Sequence, residues 1–554
     1  MKKKPLEIIF LFLFSFPLFS LSFNDGDDPA ALAFRLTEQM TDEQALAQTF
    51  MLGWVGAEPS PLIRDWIRNR NIGGVKIFGW NTGDTRKLAE TVGELQEDAL
   101  ATQFGIPLLV ATDQEGGLVR HVKGNTSETP GNMAIGASGR PMDAYLSGYY
   151  IGRELSLLGI NMNFAPSVDL YTNRESTLIG PRSFGSDPVN AGILGTAFVK
   201  GLTEVGIIAT AKHYPGHGDT DLDSHGVLPR INVPFEVLWE RELLPYRILA
   251  SEGLPAVMSG HLAFPRTQAG ETPASLSAWF LKDLLRGKMA YKGLIITDDL
   301  MMNGATTYAG SLSRAAKQAL LAGNDVIMLS KTPNLNDPVW TYLASSMKEE
   351  PEFRERVRDA CRRILTVKLE YLRGEKKVPY VPDLSKIEAG LSDPEGTSFF
   401  LSLAARSVTI VNDKNVFPLS PEKAGRVLLA GNYADFFNAG KKAYPDAISY
   451  SYSSSAWDLV DYARNADTII FCLSDKAGLR ILDQLRRLGK RIIVFSVLSP
   501  AYLDETLWTD GAIAVYSYAP ESFVAGFSAI LGRIPGEGKL PFTLNESQQP
   551  LPNP

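Results

Sequence analysis

The stretch GIIATAKHYPGHGDTDLDSH, residues 206–225, carries the pattern that decides the fold. It begins with a largely apolar run that ends at Lys212, which is typical of a short buried strand. A loop rich in glycine, aspartate and histidine follows at once, and such a polar loop lies at the surface or lines a cleft. The stretch therefore predicts a buried strand whose carboxyl end carries ionisable groups.

The same arrangement recurs along residues 32–373, where amphipathic stretches such as 85–103 separate short apolar runs. The predicted strands are 48–52, 74–78, 108–113, 161–168, 206–212, 256–261, 293–298 and 325–329. Repeated strand–helix units form either a (β/α)₈ TIM-like barrel or a doubly wound open sheet, both of the α/β class. Barrel enzymes gather their chemistry at the carboxyl ends of the strands. Because Asp113, Lys212 and Asp298 fall there, the sequence favours the barrel.

A second, smaller domain follows the barrel. Residues 375–384 contain two prolines and are typical of a linker, after which a strand–helix alternation resumes. The strands predicted in this part are 407–412, 427–431, 468–473, 492–498 and 512–518. Few ionisable residues end these strands, so we expect a structural or dimer-supporting role. The predicted divisions are a signal peptide at 1–22, a catalytic barrel at 30–374, a linker at 375–400 and a C-terminal α/β sandwich domain at 401–554.

Composition restricts the class of partner. The chain has 554 residues, 45% of them hydrophobic and 21% charged, which is ordinary for a globular protein. Its net charge of −7 argues against a nucleic-acid partner, since phosphate binding needs a basic surface. The two cysteines, Cys361 and Cys472, lie in apolar-periodic segments and are predicted to be buried core residues without a disulfide.

The amino terminus predicts export. Residues 2–4 are lysines, residues 8–23 form an apolar run and residues 24–28 are polar, which is the layout of a secretory signal peptide. We expect a periplasmic or extracellular protein, held at the membrane only if the signal stays uncleaved. No later segment is long and apolar enough to span a bilayer, so no integral span is expected once the signal is removed.

Two chemistries compete for the loop after Lys212. A divalent metal could be bound by His213, His217, Asp223 and His225, but the Pro215–Gly216 pair forbids the helix that an i, i+4 histidine pair needs. Alternatively, Asp223 can orient His225 two residues later, because such residues face the same way in an extended loop. That arrangement supplies a proton donor and favours acid/base chemistry without a metal or another cofactor.

A proton donor needs a group that attacks. The run 293–300, sequence GLIITDDL, ends an apolar strand with two acids, and a carboxylate there is a typical glycosidase nucleophile. Asp298 and Asp299 are predicted to point in opposite directions, so only one of them can be the nucleophile. Periodicity does not choose between them.

Several segments together resemble the glycoside hydrolase family 3 β-N-acetylglucosaminidases that act on peptidoglycan fragments. They are residues 113–117, 163–169, 180–185, 212–225, 273–277 and 297–300, and residues 532–544 resemble the second domain of longer members. The resemblance implies that Asp298 is the nucleophile, that His225 is the general acid/base and that Asp223 is its partner. It also implies that Asp113, Arg182, Lys212 and His213 hold the sugar. Family members usually carry an arginine eight residues after the position of Asp113. This chain has His121 there, and Arg120 precedes it. We assign His121 to substrate binding.

The activity expected from this resemblance is retaining exo-hydrolysis of terminal β-linked N-acetylglucosamine from muropeptides or chito-oligosaccharides, through a covalent glycosyl-aspartate. The partner is thus a saccharide that contains N-acetylglucosamine. Two alternatives keep the fold, namely an N-acetylglucosaminide phosphorylase and a β-glucosidase. A third alternative, from another class, is a catalytically idle carbohydrate-binding protein.

Overall fold

The computed structural model describes residues 21–220, 226–452, 456 and 458–544. Its first part is a closed barrel of parallel strands. The barrel strands are β1 (Phe50–Gly53), β2 (Gly74–Lys76), β3 (Leu109–Thr112), β6 (Met162–Asn163), β7 (Ile208–Tyr214), β8 (Ala256–Ser259), β9 (Leu294–Asp299) and β10 (Val326–Leu329). A two-stranded ribbon, which the sequence did not predict, rises from the mouth after β3; it consists of β4 (Gln114–Gly116) and β5 (Val119–Arg120).

The TIM-like barrel predicted from the sequence is confirmed. Each barrel strand pairs with its sequence neighbours in parallel, and β1 pairs with β10 to close the ring. All eight predicted runs supply a barrel strand. The fourth is shorter than predicted: β6 ends at Asn163. The chain beyond it stays beside the sheet through scattered backbone hydrogen bonds, such as that from the Phe164 N–H to the Thr112 carbonyl oxygen at 2.8 Å, and through the bridge between Ser167 and Lys212.

Helices surround the barrel and return the chain between strands. They are α1 (Pro29–Gln39), α2 (Asp42–Gln48), α3 (Pro61–Asp65), α4 (Thr85–Leu100), α5 (Asn132–Ser138), α6 (Pro141–Leu157), α7 (Pro188–Glu204), α8 (Phe235–Glu240), α9 (Leu243–Ser251), α10 (Asn303–Ala309), α11 (Leu312–Ala322), α12 (Pro338–Glu349) and α13 (Pro351–Tyr371). Short 3₁₀ turns lie at Gly79–Asn81, Gly180–Arg182 and Ala274–Leu276, and π-helical segments at Trp66–Arg70 and Trp279–Lys288.

The α6–α7 contact shows how local sequence sets the packing. The Asp187 carboxylate accepts the Asn190 N–H and caps α7, and a proline occupies the first turn. A Cβ on Gly201 would lie 2.0 Å from the Tyr145 carbonyl oxygen, and one on Gly148 would lie 2.2 Å from that of Phe198. Glycine at both crossing points therefore allows the two helices to approach closely.

The barrel interior is filled below the mouth. Alternate strand residues such as Met51, Leu109, Ile296 and Met328 form one buried cluster with α1 and α13, and Cys361 belongs to it. Cys472 is buried in the second domain, and both thiols are free. Because side chains fill the lower barrel, this part of the barrel is a packed core and not a channel.

A buried aspartate anchors the opposite, amino-terminal end of β10. The Asp325 carboxylate contacts the guanidinium groups of Arg286, Arg356 and Arg363 at 2.6, 2.9 and 3.0 Å. It also accepts the Ile295 N–H at 3.0 Å. Burial alone would raise the pKa of Asp325, but the three guanidinium groups lower it to about 2.

The second domain is a six-stranded, mostly parallel sheet in the order β11-β16-β15-β14-β12-β13, in which only β11 runs antiparallel to its neighbour. Its strands are β11 (Thr409–Asp413), β12 (Val427–Gly431), β13 (Ile448–Ser451), β14 (Thr468–Leu473), β15 (Arg491–Ser496) and β16 (Gly511–Ala514). Its helices are α16 (Pro421–Ala424), α17 (Ala434–Ala443), α18 (Leu459–Arg464), α19 (Lys476–Asp483) and α20 (Pro520–Ile530), with a 3₁₀ segment at Pro500–Thr506. The sequence missed β13, an edge strand whose residues are exposed or half-buried and which lacks an apolar run.

The predicted linker, residues 375–400, contains a 3₁₀ turn at Leu384–Lys386, α14 (Ile387–Gly390) and the start of α15 (Pro394–Ser407). The residue boundaries of the domains stay predictions. The signal peptide also stays a prediction, because residues 1–20 lie outside the described residues. Within the described ranges, no helix is both long enough and apolar enough to cross a bilayer.

The end of the described chain crosses back onto the barrel. The Lys539 N–H donates to the Ala137 carbonyl oxygen and the Ser186 N–H donates to that of Pro541, both at 3.0 Å. The Phe542 ring packs edge-on against Tyr171 with centroids 5.0 Å apart. The second domain therefore supports the segment of the barrel mouth that follows β6.

We expect Asp325→Asn to lower the free energy of unfolding by about 3–5 kcal/mol, because it leaves buried guanidinium groups without their counter-charge. Thermal unfolding followed by circular dichroism measures the loss as a fall in the midpoint of the transition. The matched control is Asp467→Asn, which removes an exposed pairing with Arg426 and should leave the midpoint unchanged. Equal shifts of the midpoint in the two variants would contradict the conclusion that Asp325 stabilises the barrel by balancing the charges of Arg286, Arg356 and Arg363.

Candidate active site

The centre of the barrel mouth is a buried ammonium group. Lys212, near the end of β7, is 1% exposed, and its Nζ lies 2.5 Å from Asp113 Oδ1 and 2.6 Å from Glu115 Oε1. Burial alone would lower the pKa of Lys212, but the two carboxylates raise it above its ordinary value. Lys212 thus stays charged and joins β7 to β3 and to the ribbon.

Glu115 links this ammonium to Arg182. Arg182 donates to both carboxylate oxygens of Glu115, from Nε at 2.9 Å and from a terminal nitrogen at 2.8 Å. Burial would raise the pKa of Glu115, but Arg182 and Lys212 lower it to about 2. The sequence did not assign Glu115 to the site; its position two residues after Asp113 in the ribbon is the signal that could have done so.

Asp113 is held by a second lysine. Lys76, at the end of β2, is 1% exposed and places its Nζ 2.7 Å from Asp113 Oδ2. Burial lowers the pKa of Lys76, an effect that Asp113 only partly offsets. Sequence reasoning missed Lys76, although a lysine inside the apolar run 72–78 was a signal, since a buried charge needs a partner.

His121 and Arg120 separate in the structure. His121 Nδ1 lies 3.5 Å from Asp113 Oδ2, and its side chain is 31% exposed at the mouth. Burial, reinforced by the Lys76 charge, lowers the pKa of His121 to about 4, so the ring is neutral at pH 7. Arg120 instead donates to Glu128 and to the Thr126 carbonyl oxygen, both at 2.7 Å. Of the two neighbours, His121 is the one placed beside Asp113.

Asp169 organises the loop after β7. Its buried carboxylate lies 2.7 Å from His213 Nδ1, and it accepts the backbone N–H groups of His213, at 3.1 Å, and His217, at 2.7 Å. A carboxylate only accepts, so Nδ1 of His213 carries the hydrogen and Nε2 is turned toward Arg182, 3.4 Å away. Sequence reasoning assigned no role to Asp169. The signal that could have done so is an acid at the end of the segment 163–169, which follows β6.

Lys212 and His213 both face this network although they are adjacent on β7. Successive strand residues ordinarily point to opposite faces. The pairing of β7 with β8 shifts register between Ala211 and Tyr214, and such an irregularity redirects side chains at a barrel rim. The five predicted substrate residues Asp113, His121, Arg182, Lys212 and His213 are therefore brought into one connected cluster.

The two acids at the end of β9 have different surroundings. Asp299 Oδ1 accepts the backbone N–H groups of Met301 at 3.0 Å and Ser330 at 3.1 Å, which fixes Asp299 in the loop. Asp298 Oδ1 accepts the Asp299 N–H at 2.8 Å. Burial would raise the pKa of Asp298, but electrostatic interaction with the nearby imidazoles of His213 and His261, together with that N–H, holds it below its ordinary value. Asp298 is thus an ionised acid which, among the described residues, accepts a hydrogen bond from the Asp299 N–H but none from the Met301 or Ser330 N–H groups that hold Asp299.

The remaining predicted catalytic residues, Asp223 and His225, lie outside the described residues. His261 lies two residues after the end of β8, with Nε2 3.0 Å from the Asp299 carbonyl oxygen and Nδ1 2.7 Å from the Ser275 hydroxyl. It therefore braces the turn that carries the two acids. Chemically, the described mouth places the ionised carboxylate of Asp298 beside a charge-balanced, hydrogen-bonding cluster that suits a neutral polyhydroxylated ligand.

Comparison with known proteins identifies the family of the chain. Residues 42–367 match the model of the glycosyl hydrolase family 3 N-terminal domain. A beta-hexosaminidase of Tolumonas auensis is 37% identical over 282 residues, covering 50% of this chain and 81% of that protein. One of Nitrosomonas eutropha is 31% identical over 366 residues, covering 65% and 98%. The solved structure of a family 3 beta-N-acetylglucosaminidase from a Paenibacillus species superimposes with a TM-score of 0.81 at 28% identity, covering 91% of this chain and 99% of that one. The resemblance found in the sequence is confirmed.

We expect Asp169→Asn to lower kcat/KM for a chromogenic glycoside by roughly 100-fold, because it releases His213 and the loop backbone from their fixed geometry. The matched control is Asp143→Asn, a buried acid bonded to Arg406 at 2.6 Å in the contact between α6 and α15. That variant should lose stability and keep its kcat/KM. Equal losses of kcat/KM in the two variants would show that Asp169 acts only through general stability.

Proposed function

The chain belongs to glycosyl hydrolase family 3, and from that premise we propose that it is a retaining exo-β-N-acetylglucosaminidase. Its substrates would be muropeptides or chito-oligosaccharides that carry a terminal β-linked N-acetylglucosamine. The observation that carries the proposal is the contrast at the end of β9, where Asp299 is bonded to the loop and Asp298 is left ionised beside the polar cluster.

The polar cluster would hold the terminal sugar. Asp113, Lys212 and Arg182 offer a carboxylate and two cations, and Glu115, which contacts both cations, supplies the second negative charge that balances them. Because these groups are already fixed by one another, they can exchange hydrogen bonds with sugar hydroxyls without first being ordered. His213 and His121 would complete the binding surface, one on each side.

In the first step, Asp298 would attack the anomeric carbon while the bond to the aglycone oxygen breaks. His225, oriented by Asp223, would give its proton to that departing oxygen. In the second step, the same imidazole would take a proton from water as the water oxygen displaces Asp298 and regenerates the carboxylate. The lowered pKa of Asp298 keeps the attacking group ionised at neutral pH.

The proposal is tested with 4-nitrophenyl β-N-acetylglucosaminide, the matching glucoside and di-N-acetylchitobiose, each with and without inorganic phosphate. We expect faster turnover of the N-acetylglucosaminide than of the glucoside, with free N-acetylglucosamine as the product in both buffers. A sugar 1-phosphate formed in the phosphate buffer would identify a phosphorylase instead. Binding of these sugars without any turnover would identify a carbohydrate-binding protein.

We expect Asp298→Asn to lower kcat by at least about 10³-fold, since it removes the group that forms the covalent bond. Asp299→Asn is the matched neighbour; it weakens two backbone contacts and should lower kcat much less. Mass spectrometry of the parent enzyme trapped with a fluorinated substrate should find the sugar attached to Asp298. A labelled Asp299 peptide would overturn the assignment.

A further inference from the structure

The indole of Trp80 is unusually exposed for a side chain that is so firmly held. It lies in the 3₁₀ turn Gly79–Asn81 after β2 and is 51% exposed. Its ring stacks on Phe78 with centroids 4.5 Å apart and planes 11° from parallel, and its Nε1 donates to the Trp54 carbonyl oxygen at 2.8 Å. Trp80 therefore presents apolar ring surface in one fixed orientation.

Trp80 lies close to the polar cluster that would hold the terminal sugar. Phe78, which supports the indole, also contacts the His121 ring at 5.9 Å between centroids and lies under Lys76 Nζ at 4.4 Å. Both of those residues contact Asp113. Phe78 therefore separates the exposed indole from His121 and Lys76, which contact the proposed sugar-binding residue Asp113. The indole lies on the side of the mouth formed by β2 and β3.

Packing does not explain this exposure. Tyr214, an aromatic residue at the end of β7, is by contrast fully buried and donates its hydroxyl to the Phe280 carbonyl oxygen. Trp80 has its only donor already bonded, so its exposed part offers a π surface and no free polar atom. Such a surface binds groups with weakly positive hydrogens, and the C–H face of a pyranose ring is one.

We propose that Trp80 is the stacking platform for the first sugar of the leaving group, and so favours substrates in which another pyranose follows the terminal residue. This inference rests on the proposed function, because that function places the terminal sugar on the Asp113–Lys212 cluster. The indole meets the next ring without prior ordering, so the binding energy is not reduced by fixing a flexible side chain.

The test compares Trp80→Ala and Trp80→Phe with the parent on two substrates, di-N-acetylchitobiose and methyl β-N-acetylglucosaminide. In Trp80→Ala, the ratio of kcat/KM for the disaccharide to that for the methyl glycoside should fall about tenfold. Trp80→Phe should recover most of that ratio, because a flat apolar ring remains. Tyr462→Ala, which removes another half-exposed aromatic from the second domain, should leave the ratio unchanged.

An equal fall in kcat/KM on both substrates would show that Trp80 serves only to shape the mouth, and an unchanged ratio would exclude contact with the leaving group. If the parent cleaves neither substrate, the proposed function fails. In that case, titration calorimetry tests the role of Trp80 without turnover. Trp80→Ala should raise the dissociation constant of the disaccharide and leave that of N-acetylglucosamine unchanged. Equal weakening of both, or of neither, would overturn the inference.

Discussion

The barrel mouth depends on one buried ammonium group between two carboxylates. Lys212 lies within hydrogen-bond distance of both Asp113, which directly follows β3, and Glu115, which lies in the ribbon after it. An isolated charge at this depth would be strongly unfavourable, so neither the lysine nor the acids can be buried without the others. The contact thereby fixes the relative positions of strands that enter the barrel about a hundred residues apart in the chain.

From that contact the network spreads in both directions. On one side, Glu115 holds Arg182, which reaches His213. On the other side, Asp113 holds Lys76 and lies beside His121. Anions and cations alternate through the cluster, so a substrate meets fixed dipoles with little net charge. This suits a neutral sugar better than a phosphate or another strongly charged ligand.

The second domain contributes to the same network indirectly. Its final residues contact Ala137, Tyr171 and Ser186, and the last two flank the turn that carries Arg182. Arg174, in the same segment, pairs with Asp504 of the second domain at 2.9 Å. A domain in which few ionisable residues end the described strands can therefore still help to hold the barrel segment that carries Arg182.

The sequence by itself determined the architecture and the residue types of the site. Short apolar runs identify all eight barrel strands, because burial within a parallel sheet demands such runs, and ionisable residues end several of them. The same pattern identified Asp113, Lys212 and the pair of acids Asp298 and Asp299, and family resemblance added Arg182 and the choice of Asp298. Tertiary structure alone assigned Lys76, Glu115 and Asp169, since each acts through a partner distant in sequence. It also distinguished Asp299 from Asp298, which local periodicity could not do. The reason is physical: strand patterns report burial, which is local, whereas the role of a buried charge is set by whichever groups the fold brings within about 3 Å of it.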